Sequence, residues 1–168
     1  MWTILRHLFA IAVLPFTMTV LVPVWITRRY AVDVAWPSSV GGELLAILGA
    51  GLLAVGLALF VSSLHRFGTE GKGTLAPWDP PRELVVRGPY RYVRNPMISG
   101  VVCILFAEAL LLRSLPHAKW GAIFVVVNLI FIPLLEEPQL ERRFGDSYRR
   151  YCRHVPRIVP RLRPWRDR

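Results

Sequence analysis

The sequence predicts an all-α integral membrane protein, with four membrane helices followed by a cytoplasmic helical segment at the C-terminus. The first observation is composition. Hydrophobic residues make up 54% of the 168 residues and the mean hydropathy is +0.41, which is too apolar for a soluble domain of this length. The second is that apolar residues gather in four stretches, at 5–26, 41–64, 97–112 and 120–135. The third is the placement of the positive charges.

The first two apolar stretches are long enough to cross a membrane as helices, which takes roughly 20 residues. The stretch 5–26 exceeds the length of a signal-peptide core, so it is predicted to be a membrane helix. The last two stretches are shorter and are joined by the segment 113–119. They predict a short helical hairpin that either crosses a locally thinned bilayer or stops before the far surface.

The positive charges predict the orientation of these helices. With four spans, 17 of the 21 Lys and Arg fall on the side that holds both termini and the loop 65–94. Positive residues concentrate on the cytoplasmic side of membrane proteins, so both termini and this loop are expected in the cytoplasm. The net charge of +10 therefore reflects topology and attraction to anionic lipid, and nucleic acid is not an expected partner.

Small residues in the second stretch predict close helix packing. Ala46, Ala50, Ala54 and Ala58 recur at intervals of four, with glycines between them. Such a face lets two helices approach closely, either within the chain or between copies in an oligomer.

Several common functions are excluded by pattern. The glycine-rich stretch 68–73 lacks the spacing of a phosphate-binding loop, and no alternation of strands and helices predicts a Rossmann domain. Cys103 lies in a span and Cys152 in the tail, so no disulfide is expected. The four histidines are scattered without the spacing of zinc ligands, so no metal site is expected.

Two polar clusters border the last two apolar stretches. Tyr90, Arg94 and Asn95 precede the third stretch, and Glu136 and Glu137 follow the fourth. Acids at the end of a membrane span are costly unless a cation requires them. If the clusters converge, they offer a carboxylate for an ammonium, a guanidinium for a carboxylate and an aromatic face for a sulfonium. That set matches S-adenosylmethionine, with Glu136 on the ammonium and Arg94 on the carboxylate or a substrate oxyanion.

Other polar residues near these spans allow simpler interpretations. Asn95 and Pro96 are typical of a helix start, as N-cap and first helical residue. Glu108 is either a functional acid within the membrane or the partner of Arg113 or Lys119 near the hairpin tip. Asn128 is expected to bond across to a neighbouring helix.

The helix after the fourth stretch is predicted to continue to about Tyr151. Phe144, Tyr148 and Tyr151 form one stripe at helical spacing. The simplest interpretation is an amphipathic helix lying on the membrane surface. Glu137 either orients Arg94 or begins this surface helix.

The two clusters together resemble a known family, the isoprenylcysteine carboxyl methyltransferases and phospholipid methyltransferases of membranes. The resemblance covers roughly residues 82–160. Its motif is Gly88-Pro89-Tyr90, Arg94-Asn95-Pro96 and Gly100, then Glu136-Glu137, Leu140, Phe144-Gly145, Tyr148, Tyr151 and Val155-Pro156.

The resemblance implies a non-Rossmann S-adenosylmethionine pocket on the cytoplasmic side, capped by the C-terminal segment, with S-adenosylhomocysteine as the product. The chain is then one domain, 1–168, with a two-helix scaffold in 1–64 and a cofactor-binding core in 65–168. Arg94 and Glu137 are the candidate catalytic residues. The residues expected to contact the cofactor are Leu84, Val85, Tyr90, Asn95, Pro96, Met97, Ile98 and Glu136.

Three departures from the family pattern bear on the substrate. Asn95 stands where the family usually has His, and Ile98 where it often has Tyr. Asn can hydrogen-bond but cannot titrate. Ile132 stands at a position where the members that methylate a prenylcysteine carboxylate typically share an Arg. The favoured reaction is therefore methyl transfer to a lipophilic substrate in the membrane, most of all a phospholipid amine headgroup. Alternatives are isoprenylcysteine-type O-methylation, methylation of a small thiol or phenol, and a non-catalytic membrane scaffold.

Overall fold

The structure is a computed structural model that describes residues 12–71 and 83–166, except for the side chains of residues 12–14 and 67. Within these ranges the chain is helical and contains no strand. The helices are α1 (π-helical over Ala12–Leu21, then α-helical over Val22–Arg29), α2 (Val40–Glu70), α3 (Pro96–Leu111), α4 (Leu115–Phe131, continued by a π-helical turn over Ile132–Glu136), α5 (Glu137–Phe144) and α6 (Asp146–His154). A short 3-10 helix, Gly88–Arg91, precedes α3. The predicted all-α class is confirmed for the described ranges.

Among the residues that the structure describes, two helical segments are long and apolar enough to cross a membrane. They are α2, with 31 residues, and the continuous segment Leu115–Phe144, with 30. Helix α3 is apolar but shorter, with 16 residues. Part of the first predicted span, residues 5–11, lies outside the described residues, as does most of the loop after α2, residues 72–82. The four-span arrangement and its orientation stay predictions.

Helices α2 and α3 pack against each other through their backbones. A Cβ atom on Gly100 would lie 2.9 Å from the Gly56 carbonyl oxygen and 2.9 Å from the Phe60 nitrogen. Farther along the helices, Gly49 approaches the Ala107 carbonyl in the same way. The two helices are therefore antiparallel and held closer than any side chain at these glycines would permit.

The small-residue face predicted from the alanines divides in two. Ala46 is buried, whereas Ala50, Ala54 and Ala58 are exposed. The face packed against α3 consists of Gly49 and Gly56 in addition to Ala46. A contact between copies of the chain through the exposed alanines stays a prediction.

The α3–α4 hairpin is as tight as the sequence suggested. Arg113 adopts a φ of 50° between the helices and donates to the Ala35 carbonyl at 2.8 Å. His117, in the first turns of α4, is buried and hydrogen-bonds to Ser114 Oγ at 2.8 Å and to the Pro23 carbonyl at 3.2 Å. These bonds connect the hairpin tip to α1.

The structure contradicts one expectation about Asn128 and one of the two alternatives for Glu108. Among the described residues Glu108 pairs with neither Arg113 nor Lys119, and its Oε2 is buried without a hydrogen-bond partner. Asn128 donates to the Phe124 carbonyl of its own helix at 2.8 Å, so it does not bond across to a neighbouring helix. The backbone carbonyl one helical turn before an Asn lies within reach of its side-chain amide. Asn128 therefore bonds to its own helix and not to a neighbouring one.

The helix that leaves the fourth apolar stretch does not continue to Tyr151. Pro133 has no backbone N–H, and the hydrogen-bond ladder loosens into a π-turn around it. The helix then resumes as α5 and ends at Gly145, which has a φ of 55° and a ψ of −130°. This conformation favours glycine, and it turns α6 into a new direction.

The aromatic stripe faces the protein and not the membrane. Tyr148 and Tyr151 of α6 are buried together with Val155, and Leu84 and Phe144 pack on this cluster. The stripe is therefore the core that holds α6 onto the segment before α3, which corrects the expectation of a helix lying on lipid.

The chain after α6 runs back along the residues that precede α3. We call residues 155–166 the C-terminal strap. The Arg94 amide donates to the Pro156 carbonyl at 2.9 Å, and the Arg161 amide donates to the Tyr92 carbonyl at 3.0 Å. The strap thus fixes both the start of α3 and the end of α6 in one unit.

Candidate active site

The centre of the candidate site is an ion triad formed by Arg94, Glu137 and Arg157. Arg94 Nη1 lies 2.9 Å from Glu137 Oε1. Arg157 Nε donates to the same oxygen at 2.8 Å and Arg157 Nη2 donates to Oε2 at 2.5 Å. A bidentate guanidinium–carboxylate pair fixes the orientation of the carboxylate as well as its charge. Three separate parts of the chain therefore meet here: the segment before α3, the first residue of α5, and the strap.

Arg94 keeps part of its binding capacity unused. Its Nη1 also donates to Cys152 Sγ. Its Nε is buried and has no hydrogen-bond partner. A buried guanidinium N–H without a partner is costly, so this atom marks a place where a ligand acceptor would be stabilised.

A polar pocket opens beside the ion triad. Its volume is about 650 Å³, within the range of about 300–1,000 Å³ that small-molecule sites occupy. The residues that line it are Arg94, Glu137, Glu141, Asp146, Tyr148, Arg149, Cys152, Arg153 and Arg157. The pocket lining is therefore charged and polar, and the pocket lies at the end of the apolar helices and not within them.

Tyr90 and Glu136 belong to the same two segments as Arg94 and Glu137. Tyr90 is buried in the 3-10 helix, and Tyr151 Oη donates to its carbonyl at 2.6 Å. Burial raises the pKa of Tyr90, and the negative charge of Glu136 raises it further. Unlike Glu137, Glu136 forms no hydrogen bond or ion pair with the residues the structure describes.

The predicted site residues divide into those that the structure brings together and those that lie apart. Arg94 meets Glu137 in an ion pair, so the two polar clusters do converge. The predicted cofactor contacts are Tyr90, Glu136, Leu84, Val85, Asn95, Pro96, Met97 and Ile98; Tyr90, Val85 and Pro96 are buried, and the others are half-buried. None of these eight lines the pocket.

Asn95 does not act as a side-chain cap. Pro96 is the first residue of α3, as predicted, and the Asn95 carbonyl accepts from the Ser99 amide at 3.0 Å. The Asn95 side chain makes no capping hydrogen bond. The side-chain amide of Asn95 therefore does not stabilise the start of α3.

Arg157 and Cys152 are site residues that the sequence does not predict. Arg157 was one of ten basic residues in the tail, and nothing in its spacing distinguishes it from the other nine. Its contact with Glu137, 20 positions earlier, depends on the turn at Gly145. Cys152 was considered only for disulfide formation, and one α6 turn from Tyr148 places it in the same pocket. Among the described residues, no group of three or more His, Cys, Asp or Glu could hold a metal.

Three buried phenols predict that the fold weakens at high pH. Burial is the main cause that raises the pKa of Tyr90, Tyr148 and Tyr151 above the ordinary value of 10.0. Above that value the unfolded chain loses phenol protons that the folded chain keeps, so stability falls as pH rises. We expect the unfolding midpoint in detergent to decrease from about pH 9 to pH 11. Tyr151→Phe should flatten this decrease. A midpoint that does not change over this range would contradict the burial of the phenols.

The fold and the site define a class: a helical membrane protein with an ion-paired polar pocket where two apolar helices end. The family model for phospholipid methyltransferases matches residues 44–147, so the chain belongs to the phospholipid methyltransferase family. This confirms the family that the motif predicted.

One curated relative is phosphatidylethanolamine N-methyltransferase 1 of Vanderwaltozyma polyspora. It is 33% identical over 86 residues, which are 51% of this chain and 10% of the relative. The chain thus spans about a tenth of the length of this relative. No solved structure matches the chain.

Proposed function

We propose that this chain transfers a methyl group from S-adenosylmethionine to the amine headgroup of a phospholipid, with phosphatidylethanolamine as the substrate. The observation that carries the proposal is the ion pair between Arg94 and Glu137, which joins the two polar clusters beside one polar pocket. Family membership and the name of the curated relative support the same reaction. Both termini of the chain and this site are proposed to be cytoplasmic, on the charge asymmetry of the sequence.

The residues present fit an amino-acid cofactor. Glu136 is a half-buried acid without a cationic partner among the described residues, so it is available to pair with an α-ammonium. Arg94 Nε, which has no partner, is available to a carboxylate. The cofactor would supply a methyl group already activated on a positive sulfur. The phenol faces of the cluster would stabilise that positive charge without acting as acceptors for the methyl group.

The work of the protein is then positioning and exclusion of water. Methyl transfer is an in-line displacement: the amine nitrogen forms a bond to carbon as the carbon–sulfur bond breaks, and the new ammonium releases a proton to solvent. Holding both reactants in line supplies most of the catalysis. Glu137, fixed by two guanidinium groups, orients Arg94; it is also the first residue of α5, so both interpretations of this residue apply.

The choice of phosphatidylethanolamine as the substrate rests on the location of the site and on the absence of a positive charge at position 132. The pocket lies where α3 begins and α4 leaves its apolar stretch, the level at which lipid headgroups lie. Ile132 is buried and cannot pair a substrate carboxylate. An amine headgroup therefore fits this site better than a prenylcysteine carboxylate.

The test is to supply the purified chain, in bilayers that contain phosphatidylethanolamine, with methyl-labelled S-adenosylmethionine and to identify the labelled lipid. Label in N-methylated phosphatidylethanolamine is the expected result. Label only in a prenylated carboxylate, thiol or phenol would show that the chain is a methyltransferase and that phosphatidylethanolamine is not its substrate. Absence of label together with absence of S-adenosylhomocysteine binding by calorimetry would favour a non-catalytic scaffold.

A further inference from the structure

We propose that the C-terminal strap inserts the apolar tip formed by Ile158, Val159 and Leu162 into the anionic headgroup layer of the membrane that holds the spans. This membrane contact is separate from the pocket and does not depend on methyl transfer. It gives the strap a partner of defined chemistry, an anionic lipid surface.

The first argument is the level of the strap. Helix α3 begins at Pro96, and its apolar residues follow at once. The strap is bonded to Arg94 and Tyr92, which are two and four residues before that start. Since one residue spans at most about 3.6 Å, the bonded part of the strap lies within roughly 7–14 Å of the point where α3 becomes apolar. The headgroup layer on each side of the hydrocarbon core is about 5–8 Å deep. The start of the strap, which is bonded to Arg94, therefore lies at the level of this layer.

The second argument is exposure of apolar side chains at this level. Ile158 is 49% exposed, Val159 74% and Leu162 99%. The exposure of Leu162 and Val159 to water is unfavourable, because the free energy falls when apolar surface is removed from water. Residues of this kind at the edge of a membrane helix are stabilised when they enter the interface.

The third argument is charge. Arg163 and Arg166 are exposed and flank the apolar tip, and Arg161 lies within it. Arginines beside an inserted apolar tip are attracted to anionic lipids on the cytoplasmic face. The tip and the arginines together have the composition of an interfacial anchor.

The strap is also held in place, so that its exposed tip is a feature of the fold. Arg91 Nε donates to the Trp165 carbonyl at 2.6 Å, and the Trp165 ring stacks on His154 with centroids 5.3 Å apart. Arg157 is bonded to Glu137 at the other end. The tip projects between these two fixed ends. Tyr148 and Tyr151 of α6 are buried in the protein, so of these two segments it is the strap that exposes apolar side chains.

The test is the depth of spin labels on the full chain in nanodiscs of phosphatidylcholine with and without phosphatidylglycerol. Labels are placed at Val159→Cys and Leu162→Cys, with the two native cysteines replaced by serine. The control label is at Ser147, which is exposed and polar and lies in α6, whose aromatic side chains Tyr148 and Tyr151 are buried in the protein.

We expect labels at 159 and 162 to be more accessible to oxygen than to a nickel chelate, and to lie deeper when phosphatidylglycerol is present. The label at 147 should show the opposite preference. Accessibility at 159 and 162 equal to that at 147 would overturn the proposal. Strong dipolar broadening between labels on two chains would also overturn it, since a second copy would then cover the tip.

Discussion

Replacing Glu137 with alanine is expected to destabilise the fold by about 3–5 kcal/mol, because it leaves two guanidinium groups partly buried without their common partner. The side chains of Glu137 and Arg94 are 16% and 12% exposed, and both arginines contact the same carboxylate. The loss should be measured as the free energy of unfolding in detergent. The expected cost is large because the triad joins three parts of the chain, so its loss releases the strap as well as the start of α3.

Glu141→Ala is the matched control for this substitution. Glu141 is also an acid of α5 that pairs with an arginine, Arg149, at 2.6 Å, but both side chains are about half exposed. An exposed pair contributes about 1 kcal/mol or less. If the two substitutions lowered stability equally, the triad would not be the buried junction described above.

Replacing Glu136 with glutamine is expected to weaken S-adenosylhomocysteine binding by roughly 10- to 150-fold, which corresponds to about 1.5–3 kcal/mol for a charge-assisted hydrogen bond. Glutamine keeps the size of the side chain and removes the charge that would pair with an ammonium. Calorimetric titration of the folded variant with the product measures the change. Stability should change little, because Glu136 makes no ion pair with the described residues.

Glu108→Gln serves as the control for the position of the site. Glu108 has a buried oxygen without a partner, as a binding residue can have, but it lies in α3 near the hairpin tip, at the opposite end from the pocket. Product affinity should therefore be unchanged in this variant. Loss of affinity in Glu108→Gln, with normal affinity in Glu136→Gln, would move the site into the membrane interior.

Features that depend on local sequence were predicted well. The start of α3 at Pro96 follows from the fixed φ of proline, and the tight hairpin follows from the short polar segment between two apolar stretches. The family motif likewise lies within two contiguous segments. The errors concern Asn128 and the orientation of the Tyr148–Tyr151 stripe, where two interpretations satisfy the same spacing and only the neighbouring residues decide between them.

The sequence by itself determined the helical class, the family and the two acidic and basic clusters, because composition, spacing and motif are properties of contiguous residues. Only the tertiary structure decided which tail arginine pairs with Glu137 and which face of α6 is buried. Both depend on the φ of 55° at Gly145, which turns the chain back and brings Arg157 to a carboxylate 20 residues earlier. A contact over that separation is fixed by the direction of a single turn, and no periodicity in the sequence records it.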